Sequence, residues 1–381
     1  MTGAQLKEEL IAYSKSIGID KIGFAAADVF QQLKQRLIDQ QELGYQSGFE
    51  EPDIDKRTNP ELLLSGASSI ISIALAYPSK MKDAPKSVKG ERRGIFCRAS
   101  WGRDYHHVLR EKLQLLEAFI LEKCPDAAVK SMVDTGELSD RAVAERAGIG
   151  WTGKNCAIIT PEFGSYVYLG ELITDLAIPP DTPMEEQCGS CNICVDACPT
   201  GALVQGGQLD SNKCVAYLTQ SKDFIPDQYR TKIGNRLYGC DTCQTVCPEN
   251  KKKDFHLHPD MEPDPEIAKP LLRPLLNMSN RDFKEKFGHV SGSWRGKKPI
   301  QRNAILALAH FKDETAVEDL LHVMKVDPRP VMRGTAAWAL GKIGGEMIEN
   351  HLIMAKEQEK DENVLSEIEK GLQMLKNEQI S

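Results

Sequence analysis

Cys188-Gly-Ser-Cys191-Asn-Ile-Cys194-Val-Asp-Ala-Cys198-Pro199 is the stretch on which the architecture turns. Its Cys-x2-Cys-x2-Cys-x3-Cys-Pro spacing lets one loop wrap an iron-sulfur cubane corner by corner. Sliding the run forward by 49 residues lands on positions 237, 240, 243 and 247, where only Leu237 is not cysteine. Cys214, the single cysteine between the two runs, makes up the eight thiols that two four-thiolate sites require. The Cys-Pro turn carries the chain away from the first site, so the fourth cysteine of each run serves the other cluster. Cys188, Cys191, Cys194 and Cys247 are therefore expected to hold one [4Fe-4S] cluster, and Cys198, Cys214, Cys240 and Cys243 the second. Zinc is the competitor, because Cys-x2-Cys pairs also build closed tetrahedral sites. It calls for two separated pairs, whereas three cysteines at x2 spacing followed by x3-Cys-Pro suit a cubane.

The chain has 381 residues, 41% hydrophobic and 27% charged, which leaves room for two or three domains with cores of their own. Lys7, Glu8 and Glu9 interrupt the apolar pattern of residues 1–12, so no secretory leader is expected, and no run approaches membrane-spanning length. The expectation is a cytoplasmic protein with no membrane attachment. In a reducing compartment, eleven cysteines point to metal or redox chemistry rather than disulfides. A formal net charge of −7 gives no whole-chain attraction for a polyanion, so any nucleic-acid surface has to be local.

Residues 6–17 read as an amphipathic helix stopped by Gly18, and 21–25 as a short strand. Residues 70–75, 127–133 and 167–172 read as further strands, separated by helices such as 105–122. The fold class is α+β, with a mixed α/β domain over 1–177. Pro179, Pro180 and Pro183 lead into the cysteine-rich domain, 178–260, which reads as ferredoxin-like with two clusters. Residues 261–298 form a connector with a basic patch. From 299 to 381 the texture is Ala/Leu-rich and helical: Arg302-Asn-Ala-Ile-Leu-Ala-Leu-Ala is echoed by Arg333-Gly-Thr-Ala-Ala-Trp-Ala-Leu. That pattern fits short HEAT-like repeats, or, with two clear copies, an ordinary helical hairpin with small residues at the crossing.

Gly148-x4-Gly153-Lys154-Asn155 imitates a phosphate-binding P-loop, but a helical stretch precedes it and Asn155 offers no hydroxyl for magnesium. Its glycines and Lys154 remain candidates for lining a loop around another anionic cofactor. Asp134-Thr-Gly136 follows the apolar 127–133 segment, so Asp134 belongs at a strand's end. It is either a turn residue or a proton donor whose pKa burial has raised. Asp104-Tyr105-His106-His107 gathers titratable groups at a helix start, where Asp104 can simply cap the helix. Leu109 stands where the Asp-x-His-x-x-Gly cobalamin-ligand motif needs glycine, so an axial histidine is not supported. Cys97 is either a buried small residue or a thiol facing a cofactor. Between 281 and 302, Arg281, Lys284, Lys286, Arg295, Lys297, Lys298 and Arg302 stand against Asp282 and Glu285, a net +5 with Trp294 among them. Such a patch suits a phosphate backbone with a stacked base, or is a solvated surface.

Taken together, Phe96-Cys97-Arg-Ala-Ser-Trp-Gly-Arg-Asp-Tyr-His106, Val133-Asp-Thr-Gly136, Ala147-Gly-Ile-Gly-Trp-Thr-Gly-Lys-Asn155, Tyr238-Gly-Cys-Asp-Thr-Cys-Gln-Thr-Val-Cys-Pro248 and the repeat-like tail resemble the epoxyqueuosine reductases over nearly the whole chain. The resemblance implies deoxygenation of epoxyqueuosine at the tRNA wobble position to queuosine. It implies cobalamin as a further cofactor, placed against Arg57, Cys97, Asp134, Arg141, Lys154, Asn155 and Ser211, with Asp134 as proton donor. The reductive dehalogenases share this plan of cobalamin and two clusters. The resemblance also implies tRNA contacts from Lys222, Arg295, Lys297, Lys298, Arg302 and Arg333, an external low-potential electron donor, and a monomer. The chain departs from the commoner pattern at Glu249, where an aromatic is frequent, and at Asp140, where glutamate usually precedes the arginine. Two rivals stand beside this expectation. A cobalamin-dependent reductase or dehalogenase of a small molecule would need no helical tail, and an iron-sulfur carrier or scaffold would need no corrin.

Overall fold

Apolar content dictates where a sheet has its centre: Ser69–Ala76 is an eight-residue strand in which every residue is buried. The computed structural model, which describes residues 1–380, sets this strand, β2, in a four-stranded sheet with β1 (Lys21–Ala26), β3 (Val129–Met132) and β4 (Val167–Thr174). The spatial order is β1-β2-β4-β3, and every neighbouring pair is antiparallel. All four strands read from the sequence are present. Because β3 and β4 are antiparallel, the end of β3 lies beside the middle of β4, and Met132 pairs with Glu171.

Side-chain alternation divides the sheet into two faces. On one, Ile73 and Gly170 meet Leu113 of the helix Tyr105–Lys123. On the other, Ile70, Ala74, Met132 and Ile173 pack with Val143 and Ala144 of the helix Asp140–Arg146. Asp104 caps the longer helix by accepting from the His106 amide. A Thr2–Gln5 capping box starts the first helix, Gly3–Ser16, and Gly18 follows it at φ +75.

The backbone divides into two compact, interleaved units. The first comprises 1–80, 102–214 and 241–262; the second comprises 81–101, 215–240 and the chain from Pro263 onward. The boundaries drawn along the sequence do not coincide with this division. Residues 215–240 lie inside the cysteine-rich segment, yet Val215, Leu218, Ile225, Ile233 and Leu237 are buried with Ile300, Ala304, Ile305 and Leu308 in the second unit's core. There Arg236–Tyr238 pairs in parallel with Ile95–Phe96. Residues 263–298 also belong to that core, through Ile267, Leu272, Leu275, Phe283 and Phe287.

The expected tandem helices follow as Lys297–His310, Val317–Val326, Pro330–Ile343, Glu346–Gln358 and Glu362–Ile380. Pro330–Ile343 packs closely on Glu362–Ile380 because Gly341 faces Gly371, where a Cβ would collide with backbone. Arg230, itself buried, clamps Glu367 with two guanidinium nitrogens. Among the described residues no helix is long and apolar enough to cross a membrane.

Candidate functional site

Asp134 sits just past the end of β3 in a backbone conformation that side chains rarely adopt, with φ of +50. The Thr135 amide donates to the Val133 carbonyl across it, closing a three-residue turn that is strained at positive φ. The turn points the carboxylate outward: the Asp134 side chain is 59% exposed. Two side chains tie it down. Its amide donates to Asp140 Oδ2 at 2.8 Å, and Arg110 Nη2 donates to Thr135 Oγ1 at 3.4 Å.

His106, in the first turn of Tyr105–Lys123, faces this carboxylate. Its Nε2 is 3.3 Å from Asp134 Oδ2, and its Nδ1 is 2.7 Å from Asp104 Oδ1. Burial would depress the imidazole, but the hydrogen bonds to Asp104 and Asp134 outweigh it and raise the pKa to about 9. The histidine is therefore an imidazolium at neutral pH. The same hydrogen bond from His106 holds Asp134 below the ordinary carboxylate range against the opposing effect of burial, with Tyr105 and Arg141 adding to it. Of the two readings the sequence offered, a turn residue or a carboxyl raised by burial, the raised carboxyl is not what this geometry favours: Asp134 is an anion and the proton rests on His106. The rings of Tyr105 and His106 stack at 4.1 Å, and Tyr105 stacks in turn on Tyr168 at 4.6 Å, which fixes the imidazole plane.

Behind the turn lie two acids, Asp140, which is half-buried, and Glu171. Glu171 of β4 has no exposed surface and points to the face covered by Asp140–Arg146. Neither of its carboxyl oxygens meets a donor among the described residues. Burial, then the charge of Asp140, pushes Glu171 well above its ordinary pKa. Burial, then the charge of Asp134, raises Asp140 to about 6.

The residues expected at a cofactor fall into groups. Arg57, Arg141 and Asp134 share one electrostatic neighbourhood: burial lowers Arg57, Glu50 counters it, and Arg141 reinforces it. Arg141 Nη1 donates to the Cys156 carbonyl. Lys154 and Asn155 lie in the turn between the short strands Trp151–Thr152 and Ile158–Ile159, so the P-loop imitation is a hairpin. Lys154 Nζ donates to Gly189 O at 2.6 Å and Asn192 Oδ1 at 3.1 Å, inside the first cysteine run. Gly206 lets it pass, since a Cβ there would lie 2.6 Å from Lys154 Cγ. Asn155 is 8% exposed, and its Nδ2 finds no acceptor among the described residues. Such a buried, unsatisfied donor fits a polar cofactor group. The Ser211 amide donates to Tyr45 O at 3.0 Å. Cys97 belongs to the second unit, where its amide donates to Tyr238 O at 2.9 Å.

The two cysteine runs fold alike. Each carries a one-turn helix, Ile193–Asp196 and Thr242–Thr245, 49 residues apart as in the sequence, and these two helices pack together. Cys194 feels the charge of Cys247, and both feel Cys191. The thiol of Cys247 thus lies near those of Cys191 and Cys194. Cys188 lies beside the Lys154 backbone, Glu186 and Trp151. Burial raises Cys198, but donation from the Leu203, Thr200 and Ala202 amides and from Thr200 Oγ1 outweighs it, as suits a thiolate. Cys214 and Cys243 fall in the first unit and Cys240 in the second. Free thiols at Cys188, Cys191, Cys194, Cys198 and Cys247 fit iron-sulfur ligation.

The basic patch separates into surface and interior. Lys222 is exposed, and Lys298 is partly so. Trp294 is 54% exposed, its Nε1 donating to Gln220 Oε1 at 2.8 Å, with the Arg295 guanidinium 5.0 Å from its ring centre. Lys297 Nζ donates to Met278 O at 2.8 Å. Arg302, expected on an RNA surface, is instead 1% exposed. It donates to the carbonyls of Leu218, Ser221 and Asp223 and to Asn303 Oδ1, so it holds the 218–223 segment from inside. Arg333 is paired with Glu359 through Nε at 2.7 Å and Nη2 at 2.9 Å.

Comparison with known proteins gives these features a common frame. Residues 57–135 match the family model for epoxyqueuosine reductase QueG, DUF1730; 187–250 match a 4Fe-4S double cluster binding domain, and 296–373 match HEAT repeats. An epoxyqueuosine reductase of Bacillus anthracis is 73% identical over 97% of this chain and 98% of its own. The chain belongs to the epoxyqueuosine reductase family. A crystal structure of an epoxyqueuosine reductase with an epoxyqueuosine-modified tRNA-Tyr stem loop superposes with a TM-score of 0.96 at 70% identity, covering 98% of this chain and 99% of that one. The Bacillus subtilis epoxyqueuosine reductase, with its Asp134 catalytic loop swung out of the active site, gives 0.95 at 70% identity, over 97% and 99%.

Within this epoxyqueuosine reductase, sequence reasoning passed over three members of the site. His106 was visible as a titratable residue, but its pairing with Asp134, 28 residues away, was not. Glu171 had a signal, a carboxylic acid in the middle of an apolar strand. Asp140 had a weaker one, as a departure from the family pattern next to Arg141.

Proposed function

We propose that this protein removes the epoxide oxygen of epoxyqueuosine at the wobble position of tRNA, leaving the cyclopentene of queuosine. The net change consumes two electrons and two protons and releases water. The observation that carries it is likeness to an epoxyqueuosine reductase over 97% of the chain at 73% identity. In this proposal Arg57, Arg141, Lys154, Asn155 and Ser211 hold cobalamin near Asp134, and the unsatisfied Asn155 Nδ2 supports it. When bound, cobalamin would supply a strongly reducing, nucleophilic centre, fed with single electrons by the two clusters.

The chain's own residues handle the proton. The His106 imidazolium donates through Nε2 to Asp134 Oδ2, and Asp104 at Nδ1 keeps the ring aligned. As the C–O bond opens, charge builds on the oxygen. Asp134 takes the proton of His106 and passes it to that oxygen, leaving neutral imidazole between two carboxylates. Lys222, Arg295, Lys297 and Lys298 form the proposed contact with the tRNA backbone, and Trp294 offers an exposed ring for a base. The enzyme is cytoplasmic, acts as a monomer, and takes electrons from an external low-potential donor.

The test is anaerobic incubation of the reduced, cofactor-loaded protein with an epoxyqueuosine-bearing stem loop, read by nucleoside mass analysis. Loss of one oxygen atom is expected. Asp134→Asn should keep iron and corrin while turnover falls by roughly two to four orders of magnitude. Full activity in that variant would remove Asp134 from the chemistry.

A further inference from the structure

The Asp140–Glu171 carboxyl pair takes no part in the proton transfer just described, yet it adjoins the turn that carries it. Neither Glu171 oxygen meets a conventional donor among the described residues, so this wholly buried carboxyl keeps its own proton beside the charge of Asp140. Asp140 Oδ2 is also the acceptor for the amide of Asp134, the residue with φ of +50. A conformation this unfavourable persists only where its surroundings fix it. We propose that Asp140, backed by Glu171, is a latch that holds Asp134 in its strained turn, making Asp140 a positioning residue for delivery of the proton. This rests on Asp134 being the proton donor.

The chemistry of the pair suits a latch. Glu171, in the interior of β4, keeps its proton. Asp140 remains the anion, and an anionic acceptor binds an N–H roughly twice as strongly as a neutral one. The charged groups around the pair are Asp134 in the turn, His106 behind it on Tyr105–Lys123, and Arg141 on the helix of Asp140, which faces Asp134. Lys130 of β3 is engaged by Glu137 at 3.2 Å, and β2 contributes only the Ser72 hydroxyl at the Glu171 register. When Asp140 gains a proton the acceptor weakens and the turn is released.

The test joins hydrogen exchange to kinetics on the cofactor-loaded protein. Deuterium uptake is followed in the peptide covering 133–139, and kcat and KM for the modified stem loop are measured across pH, in wild type, Asp140→Ala and Asp140→Asn. Expected are faster uptake and a kcat lowered about tenfold in Asp140→Ala, with KM unchanged. Asp140→Asn, which retains a neutral acceptor of the same shape, should recover part of both. Wild type should lose kcat as pH falls through about 6, and Asp140→Asn should lack that acid limb. Wild-type uptake in both variants, with iron content intact, would overturn the latch. Faster uptake with undiminished kcat would leave the hydrogen bond real but take Asp134 out of the chemistry, overturning the assignment on which the latch rests.

Discussion

His106 Nε2 stands 3.3 Å from Asp134 Oδ2. The exposed carboxylate is thereby joined to an imidazolium whose other nitrogen is fixed by Asp104. A strong acid's anion is a poor proton donor by itself; backed by an imidazolium it becomes a site that can both give and be refilled.

His106→Gln should therefore lower kcat by about two orders of magnitude with both metal cofactors in place. Wild-type activity should hold through neutral pH and fall as pH rises through about 9, and the variant should lack that limb. The folded pKa is raised above the ordinary value of 6.5, so the histidine's stabilising effect is full below 6.5 and lost as pH rises through about 9. Thermal melts of the two proteins should converge at the alkaline end of that window; a pH-independent gap would mean the imidazole is not charged.

Asp140 gives a second titration. Its folded pKa of about 6 lies above the ordinary 3.8, so its favourable contribution is full below 3.8 and is lost as pH rises through about 6. Asp140→Asn should melt a few degrees higher than wild type at pH 8 while turning over more slowly. An equal or lower melting point at pH 8 would contradict the burial of that charge.

Cys247→Ser should remove one cluster and spare the other, although it leaves Cys188, Cys191 and Cys194 untouched. Anaerobic iron analysis should find about half the wild-type metal, consistent with exchange of the fourth ligand between runs. Full iron content would reassign Cys247.

Lys298→Glu should weaken binding of the modified stem loop and reduce the slope of log affinity against log salt by about one for each lost phosphate contact. Arg302→Ala should also weaken binding, but with an unchanged slope and a loss of several kcal/mol in stability, because carbonyls of the 218–223 segment lose buried donors. A binding screen alone would count both as contacts; the salt series separates them.

Much of this was legible in the sequence. The four strands, the Asp134 elbow and the eight cysteines declare themselves by periodicity and spacing. What stayed hidden needed three-dimensional pairing. Antiparallel register brings Met132 beside Glu171, and only then do Asp140 and Asp134 meet a buried acid. Charge alone made Arg302 look like a phosphate contact; burial reveals a scaffold. Leu237 stands where the repeat calls for a cysteine, and its burial in the core of the second unit shows what that position does instead.

The interleaving of 1–80, 102–214 and 241–262 has a consequence for biosynthesis. On the ribosome the first unit stays unfinished until Glu262 has emerged, and Cys247 is the last thiol to arrive. On the proposed ligand assignment, iron delivered earlier would meet an incomplete set, which places insertion of the first cluster after translation of about two-thirds of the message.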